Sequence, residues 1–144
     1  MAAEVCIVSS SPSVLGWLPR RRAAAQRTSS ARRKALAGLE FALAELEHDL
    51  RRLAELSHAE QDDRAATATE ADISARILAA LQRGDRFATS LDDDEAASAW
   101  RALAASTNET RLLGRDPHNT AKLKLAAAQC EQLQQFVDQE LTSS

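Results

Sequence analysis

Tyrosine is absent from this chain of 144 residues, and aromatic residues make up only 3% of it. Glycine and proline are scarce too, at four and three, and valine and isoleucine are few. What remains is dominated by strong helix formers, thirty alanines and nineteen leucines. The composition therefore describes a helical chain. Two cysteines, Cys6 and Cys130, lie near opposite ends. Such a pair is no disulfide framework, so the expected setting is an intracellular, reducing compartment. No apolar run approaches the roughly 18–20 residues that span a bilayer, and no transmembrane segment is expected.

The patterns that carry chemistry are missing as well. There is no phosphate-binding loop, no glycine-rich dinucleotide turn and no G-x-S-x-G elbow. His48, His58 and His118 show no H-x-x-x-H spacing and no C-x-x-C accompanies them, which argues against zinc. Glu45 and His48 form one Glu-x-x-His pair of the di-iron kind, but the second pair that such bundles need is lacking. Asp92, Asp93, Asp94 and Glu95 are a run of acids without the alternating ligands, mid-loop glycine and distal glutamate of a calcium loop. That run suits the first turn of a helix, where the dipole favours negative charge. Cys130 falls on an apolar stripe and reads as a buried structural thiol rather than a nucleophile. Neither an enzyme nor a metal or cofactor site is expected, and no small-molecule substrate.

The net charge of −3 conceals an asymmetry. Residues 1–35 hold seven bases and one acid, a net of +6, whereas residues 36–144 hold eleven bases and twenty acids, a net of −9. An acidic body argues against sequence-independent contact with a nucleic-acid backbone. Residues 1–30 read as a basic, Ser/Arg-rich leader, poorly ordered and interrupted by Pro12, Gly16 and Pro19. Three readings of it compete. An Arg-rich, Ser-rich, acid-poor N-terminus fits a mitochondrial transit segment. Arg20, Arg21 and Arg22, followed after nine residues by Arg32, Arg33 and Lys34, fit a two-cluster nuclear-import signal. A plain flexible tail is the third. Ser30, three residues after Arg27, is a candidate for a basophilic kinase, and a phosphate there would lie near a helix N-terminus.

What the chain does have is one strong seam. Leu36, Leu39, Leu43, Leu46, Leu50 and Leu53 alternate steps of three and four, the a/d pattern that places all six on one stripe of a helix. The pattern predicts a helix over about 31–56, capped by Ser29 or Ser30. Ser57 to Glu60 is a capping-box pattern that starts a second helix over about 60–83, ended by Gly84. Its stripe is Ala66, Thr69, Ile73, Ile77 and Ala80 or Leu81. Continuation of the first helix to about residue 83 as one rod is the alternative, because no Gly or Pro intervenes between Gly38 and Gly84. Phe87 and Leu91 then lie in a connection and plug one end of the core. A third helix over about 92–113, capped by Ser90 or Asp92, carries Ala96, Trp100, Leu103, Thr107, Thr110 and Leu113. Trp100 reads as a core anchor whose indole N–H needs a partner, with an exposed interaction anchor as the other reading. Asp116-Pro117 starts a fourth helix over about 117–141, with Leu123, Ala126, Cys130, Leu133 and Val137 on one stripe and a glutamine-rich polar face.

The expected architecture is all-α: a three- to four-helix antiparallel bundle, or a long helical hairpin with a coiled-coil-like leucine seam, over residues 31–144 behind the 1–30 leader. The expected function is a non-catalytic helical protein–protein interaction module, a scaffold or adaptor subunit that buries apolar helix faces against helical protein partners or against further copies of itself. The seam leucines with Trp100, Leu133 and Val137 are its candidate interaction and core residues. An imported mitochondrial assembly factor with a cleavable leader is the alternative, and a phospho-regulated adaptor a further one. The compartment is cytoplasmic or nuclear, mitochondrial under the import reading.

Overall fold

The computed structural model describes residues 12–60, 62–92 and 94–143, with side chains from Ser29 onward. Four α-helices account for most of them: α1 (Pro12–Leu56), α2 (Arg64–Leu91), α3 (Glu95–Leu113) and α4 (Thr120–Ser143), the last preceded by a 3-10 turn at Pro117–Asn119. There is no strand among the described residues. The chain divides into two units, Met1–Arg32 and Arg33–Ser144. In the first, the described part is the helical backbone of α1 from Pro12. The second is a four-helix bundle.

Cross-helix bonds fix the direction of every helix in that bundle. Arg83 of α2 pairs with Glu45 of α1, and the Phe87 ring lies over Gly38, so α2 runs back along α1. Trp100 Nε1 of α3 donates to Asp85 Oδ1 at 2.8 Å, and Arg111 Nη1 donates to Ser74 Oγ at 3.0 Å. Gln134 Nε2 of α4 donates to Glu47 Oε1 at 2.9 Å, and Thr120 Oγ1 donates to Ser57 Oγ at 2.6 Å. Neighbours are thus antiparallel around a closed ring, with α1 and α3 at opposite corners. The closest helix pairs are α2–α3 and α3–α4. Ala88, Ala96, Ala97, Ala126 and Ala127 are buried there, and alanine lets helix axes approach. On α1 it is leucine that faces inward, which holds that helix further off.

All six seam leucines are fully buried at 0% exposure. The seam is the inner face of α1. A hairpin replaces the single rod, because α1 ends in a turn in which Ser57, His58 and Ala59 donate back to Ala54, Glu55 and Leu56. Asp63, not Ser57, caps α2: its carboxylate accepts from Ala66 N. Ser57 points inward, donates to Ala54 O and receives Thr120, because a buried hydroxyl takes the nearest carbonyl.

Other boundaries shift for similar reasons. α1 starts at Pro12 rather than at a cap on Ser29 or Ser30, and Pro12 suits a first turn whose N–H groups need no helical partner. α2 does not stop at Gly84; it continues through Phe87 to Leu91, and its C-terminus is closed by Asp92 at φ 56°. Gly84 is a contact point instead, since the Trp100 indole occupies the space where a Cβ would stand. α3 is capped by Asp94, not Ser90 or Asp92; its side chain accepts from Ala96 N at 3.0 Å. Leu113, expected on the stripe, is half exposed at 51% because α3 ends beside it at Gly114. Thr69 is only half-buried, its hydroxyl returned to Ala65 O. Asp116 caps the fourth segment as expected, though Pro117–Asn119 is 3-10 before α4 begins.

One core position is polar without a partner. Thr107 is fully buried, and its Oγ1 makes no hydrogen bond. Replacing an unsatisfied hydroxyl by a methyl of the same shape removes a desolvation cost without opening a cavity. Thr107→Val is expected to raise stability by about 1 kcal/mol, read as a higher urea midpoint at unchanged slope.

Candidate functional site

With the seam enclosed, its six leucines offer no surface. Trp100, Leu133 and Val137 are buried as well, at 0%, 8% and 0% exposure. One open surface of the bundle lies between α3 and α4. A cavity of about 530 Å³ runs between these helices, floored by Leu103 and Leu133 and walled by Ala99, Ala102, Gln132 and Phe136, with Glu95 at its mouth. A second cavity of about 400 Å³ continues it toward Glu109, Lys122 and Leu125. The two share Ser106 and Gln129, so they form one continuous groove. Leu125 is 59% exposed at its far end.

The groove follows from spacing. On α3 the outward residues Glu95, Ala99, Ala102, Ser106 and Glu109 recur at steps of four and three, one stripe of a helix. Small side chains leave the middle of that stripe low. On α4 Gln129, Gln132 and Phe136 stand taller on the facing edge. The glutamine-rich face of α4 is therefore one wall of a groove as well as a polar surface. Glu95 to Glu109 spans about 21 Å at 1.5 Å per residue. That length holds about four helical turns, the dimension of a helix-in-groove contact. The outward stripe of α3 was not marked as a site in the sequence, since only the inward stripe through Trp100 is apolar, and its shared edge with α4 depends on packing.

A polar clamp lies beyond the Glu109 end of the groove, where α3 turns into α4. Arg115 is buried at 8% exposure, its backbone N–H donates to Glu70 Oε2 at 2.7 Å, and its Nη2 donates to Thr67 Oγ1 at 2.9 Å. Asn119 Nδ2 donates to the carbonyls of Thr110 and Gly114. Gly114 has φ +64°, a left-handed value that favours glycine. This cluster pins the α3–α4 turn onto α2. It joins residues 45 apart, which no local pattern marks.

Two titrating groups have displaced pKa values. Burial pushes Glu40 up, reinforced by the Asp138 carboxylate across the α1–α4 contact, with which it also hydrogen-bonds. A carboxyl whose folded pKa is raised favours the fold below its unfolded value near 4.5, and that contribution is lost as pH rises through the folded value. Glu40→Gln is therefore expected to raise the melting temperature at pH 7, with the gain fading as pH falls toward 4. Cys130 is enclosed at 0% exposure, and burial, with the Glu47 charge behind it, pushes its thiol up to about 12. In a Cys6→Ser variant, the native protein at pH 8 is expected to resist iodoacetamide and to take up one label in 6 M guanidinium. Rapid native labelling would place Cys130 outside the core.

Of the other candidates, Ser30 is exposed on α1 but lies well inside the helix rather than near its N-terminus. A phosphate at Ser30 would therefore gain nothing from the helix dipole, which acts within the first turn. Arg32, Arg33 and Lys34 lie on α1, where Arg33 Nη1 donates to Leu141 O at 3.1 Å. The side chains of Arg20, Arg21 and Arg22, and all of Cys6, lie outside the described residues. Among the described residues no group of three His, Cys, Asp or Glu could hold a metal ion, and no helix is long and apolar enough to cross a membrane. No protein-family model, curated protein or solved structure matches this chain.

Proposed function

We propose that this chain is a non-catalytic helical interaction module, a small scaffold or adaptor subunit, and that the α3–α4 groove is where it takes a partner helix. The observation that carries this reading is the groove itself: a strip about four turns long between Glu95 and Glu109, with an apolar floor and small uncharged residues along its middle, on a bundle whose seam leucines are spent in its core. A helix laid there covers the half-buried Phe136 and the exposed Leu125 over the floor of Leu103 and Leu133, while Gln129 and Gln132 offer donors and acceptors to its flanks. The acidic outer surface sets which partners approach. A reducing compartment suits the buried thiol of Cys130.

The test is site-specific photo-cross-linking of the full chain in cells, with the cross-linker at Ser106 in the groove or at His48, which is exposed on α1. A discrete adduct from Ser106, absent from His48 and abolished by Ala102→Arg, is the expected result. Equal adducts from both positions, or none from Ser106, would remove the groove as the docking surface.

A further inference from the structure

The outer face of α1 carries two charges that its own bundle leaves unmatched. Within the bundle unit this helix runs from Arg33 to Leu56. Its other charged side chains there have partners in their own chain. Arg33 reaches Leu141 O, Glu40 meets Asp138, and Glu45 pairs with Arg83. Glu47 pairs with Arg51, and Asp49 with Arg52. Lys34 and Glu55 are exposed, and neither side chain bonds or pairs with any described group. They are opposite in sign and twenty-one residues apart. That is three heptads, so one stripe with steps of three and four joins them.

Between them the stripe reads Ala37, Phe41, Ala44, His48 and Arg51, all exposed. It lies on the side of α1 away from the buried leucines. Phe41 is 64% exposed, and Ala37 and Ala44 leave its ring standing clear. Arg51 is drawn aside to Glu47 and Glu131. The order of this stripe is complementary to its own reverse. Turned end for end about Ala44, it sets Lys34 over Glu55, Phe41 over His48 and Ala37 near Arg51. A parallel pairing in register sets Lys34 on Lys34 and Glu55 on Glu55 instead, and like charges oppose it. A two-fold interface uses one patch twice, and an alanine at the axis lets the two helices come close. Glu45, beside that axis, is neutralised within its own chain by Arg83.

We propose that the outer stripe of α1 between Lys34 and Glu55 is a self-association surface, on which a second copy of this chain packs antiparallel about Ala44. The paired stretch is about 32 Å long. Exposed ion pairs add little affinity, so Lys34 and Glu55 fix direction and register. Cover of the two Phe41 rings supplies the apolar contact. The α3–α4 groove lies on other helices, so a pair presents two open grooves. The interface therefore stands apart from the docking reading above. A cross-linker at His48 meets the second copy and gives an adduct of twice the chain's mass, distinct from the partner adduct expected at Ser106.

The experiment is sedimentation equilibrium of the intact chain, in a series up to about 0.3 mM, where a pair that buries one helix face per copy is populated. The wild type is expected to form a dimer and nothing larger, because a two-fold interface closes on itself. Phe41→Ala is expected to weaken the dimer by about tenfold or more. Lys34→Glu alone, or Glu55→Lys alone, puts like charges at both ends and is expected to weaken it by about tenfold. A mixture of these two variants matches both ends and is expected to regain the dimer that neither forms well alone. Direction is read by oxidation in a Cys6→Ser background: Ala44→Cys is expected to cross-link across the axis, and Ala37→Cys is not. Circular dichroism checks that every variant stays helical. A wild type monomeric throughout overturns the proposal. So does a dimer indifferent to Phe41→Ala and to both reversals, a mixture that stays monomeric, or equal cross-linking at positions 37 and 44. A monomeric wild type that still gives a Ser106 adduct of another protein overturns only the self-pairing and leaves the docking module standing.

Discussion

Replacing Leu46 and Leu50 together by alanine is expected to abolish the cooperative unfolding of the bundle at 25 °C. Both side chains are fully buried in the middle of the seam and lie one turn apart on α1. A buried Leu→Ala change costs about 2–5 kcal/mol, part of it from the cavity left behind. The two sites share neighbours, so their effects are not simply additive, yet a combined loss of about 5–8 kcal/mol follows even with partial collapse. Total stability of a domain is about 5–15 kcal/mol. This core is rich in alanine, which buries little area per residue and places it toward the lower end. Urea titration followed at 222 nm reads the result directly. A double variant that kept a sharp transition within about 1 kcal/mol of the wild type would show that the leucines do not organise the core.

Gly84→Ala carries the second large effect, and its sign opposes the usual rule. In an exposed helix interior, alanine in place of glycine gains about 1 kcal/mol. At position 84 the added methyl group falls on the Trp100 indole. That ring cannot swing aside, because its Nε1 is held by Asp85 at 2.8 Å and it is wholly enclosed. Overpacking costs about 1–3 kcal/mol and outweighs the propensity gain, so a net loss of stability is expected. The diagnostic is the background: with Trp100→Leu already present, the same Gly84→Ala change should become neutral or stabilising. An equal loss in both backgrounds would show that Trp100 is not what requires the glycine.

These two residues show how far the sequence could be read. The seam was legible because one residue type repeats at one period over five helical turns, and that stripe must be buried somewhere. Gly84 was misread as a helix stop because local rules assign glycine to helix ends. A Trp sixteen positions later supplies the competing reason, and only packing brings the two together. Ser57 failed in the same way. Its capping-box pattern is intact, but the turn faces the core, so its hydroxyl joins Thr120 while Asp63 does the capping. Asp116-Pro117 was read correctly because both residues act on their immediate neighbours. The clamp of Glu70 on Arg115 had no local trace at all.

By itself the sequence determined the helical class, the apolar seam of α1 and the apolar stripe of α4, because periodicity and propensity act within a few residues. It also determined the separation of a basic N-terminal stretch from an acidic body, since charge is counted along the chain. The tertiary structure decided that the seam is core rather than surface and that α1 and α2 form a hairpin. It decided too that an open groove runs along α3 and α4. Each of these depends on which helices become neighbours. A stripe of leucines has the same pattern whether it meets its own chain or another, and a row of alanines becomes one wall of a groove only when a taller helix lies beside it.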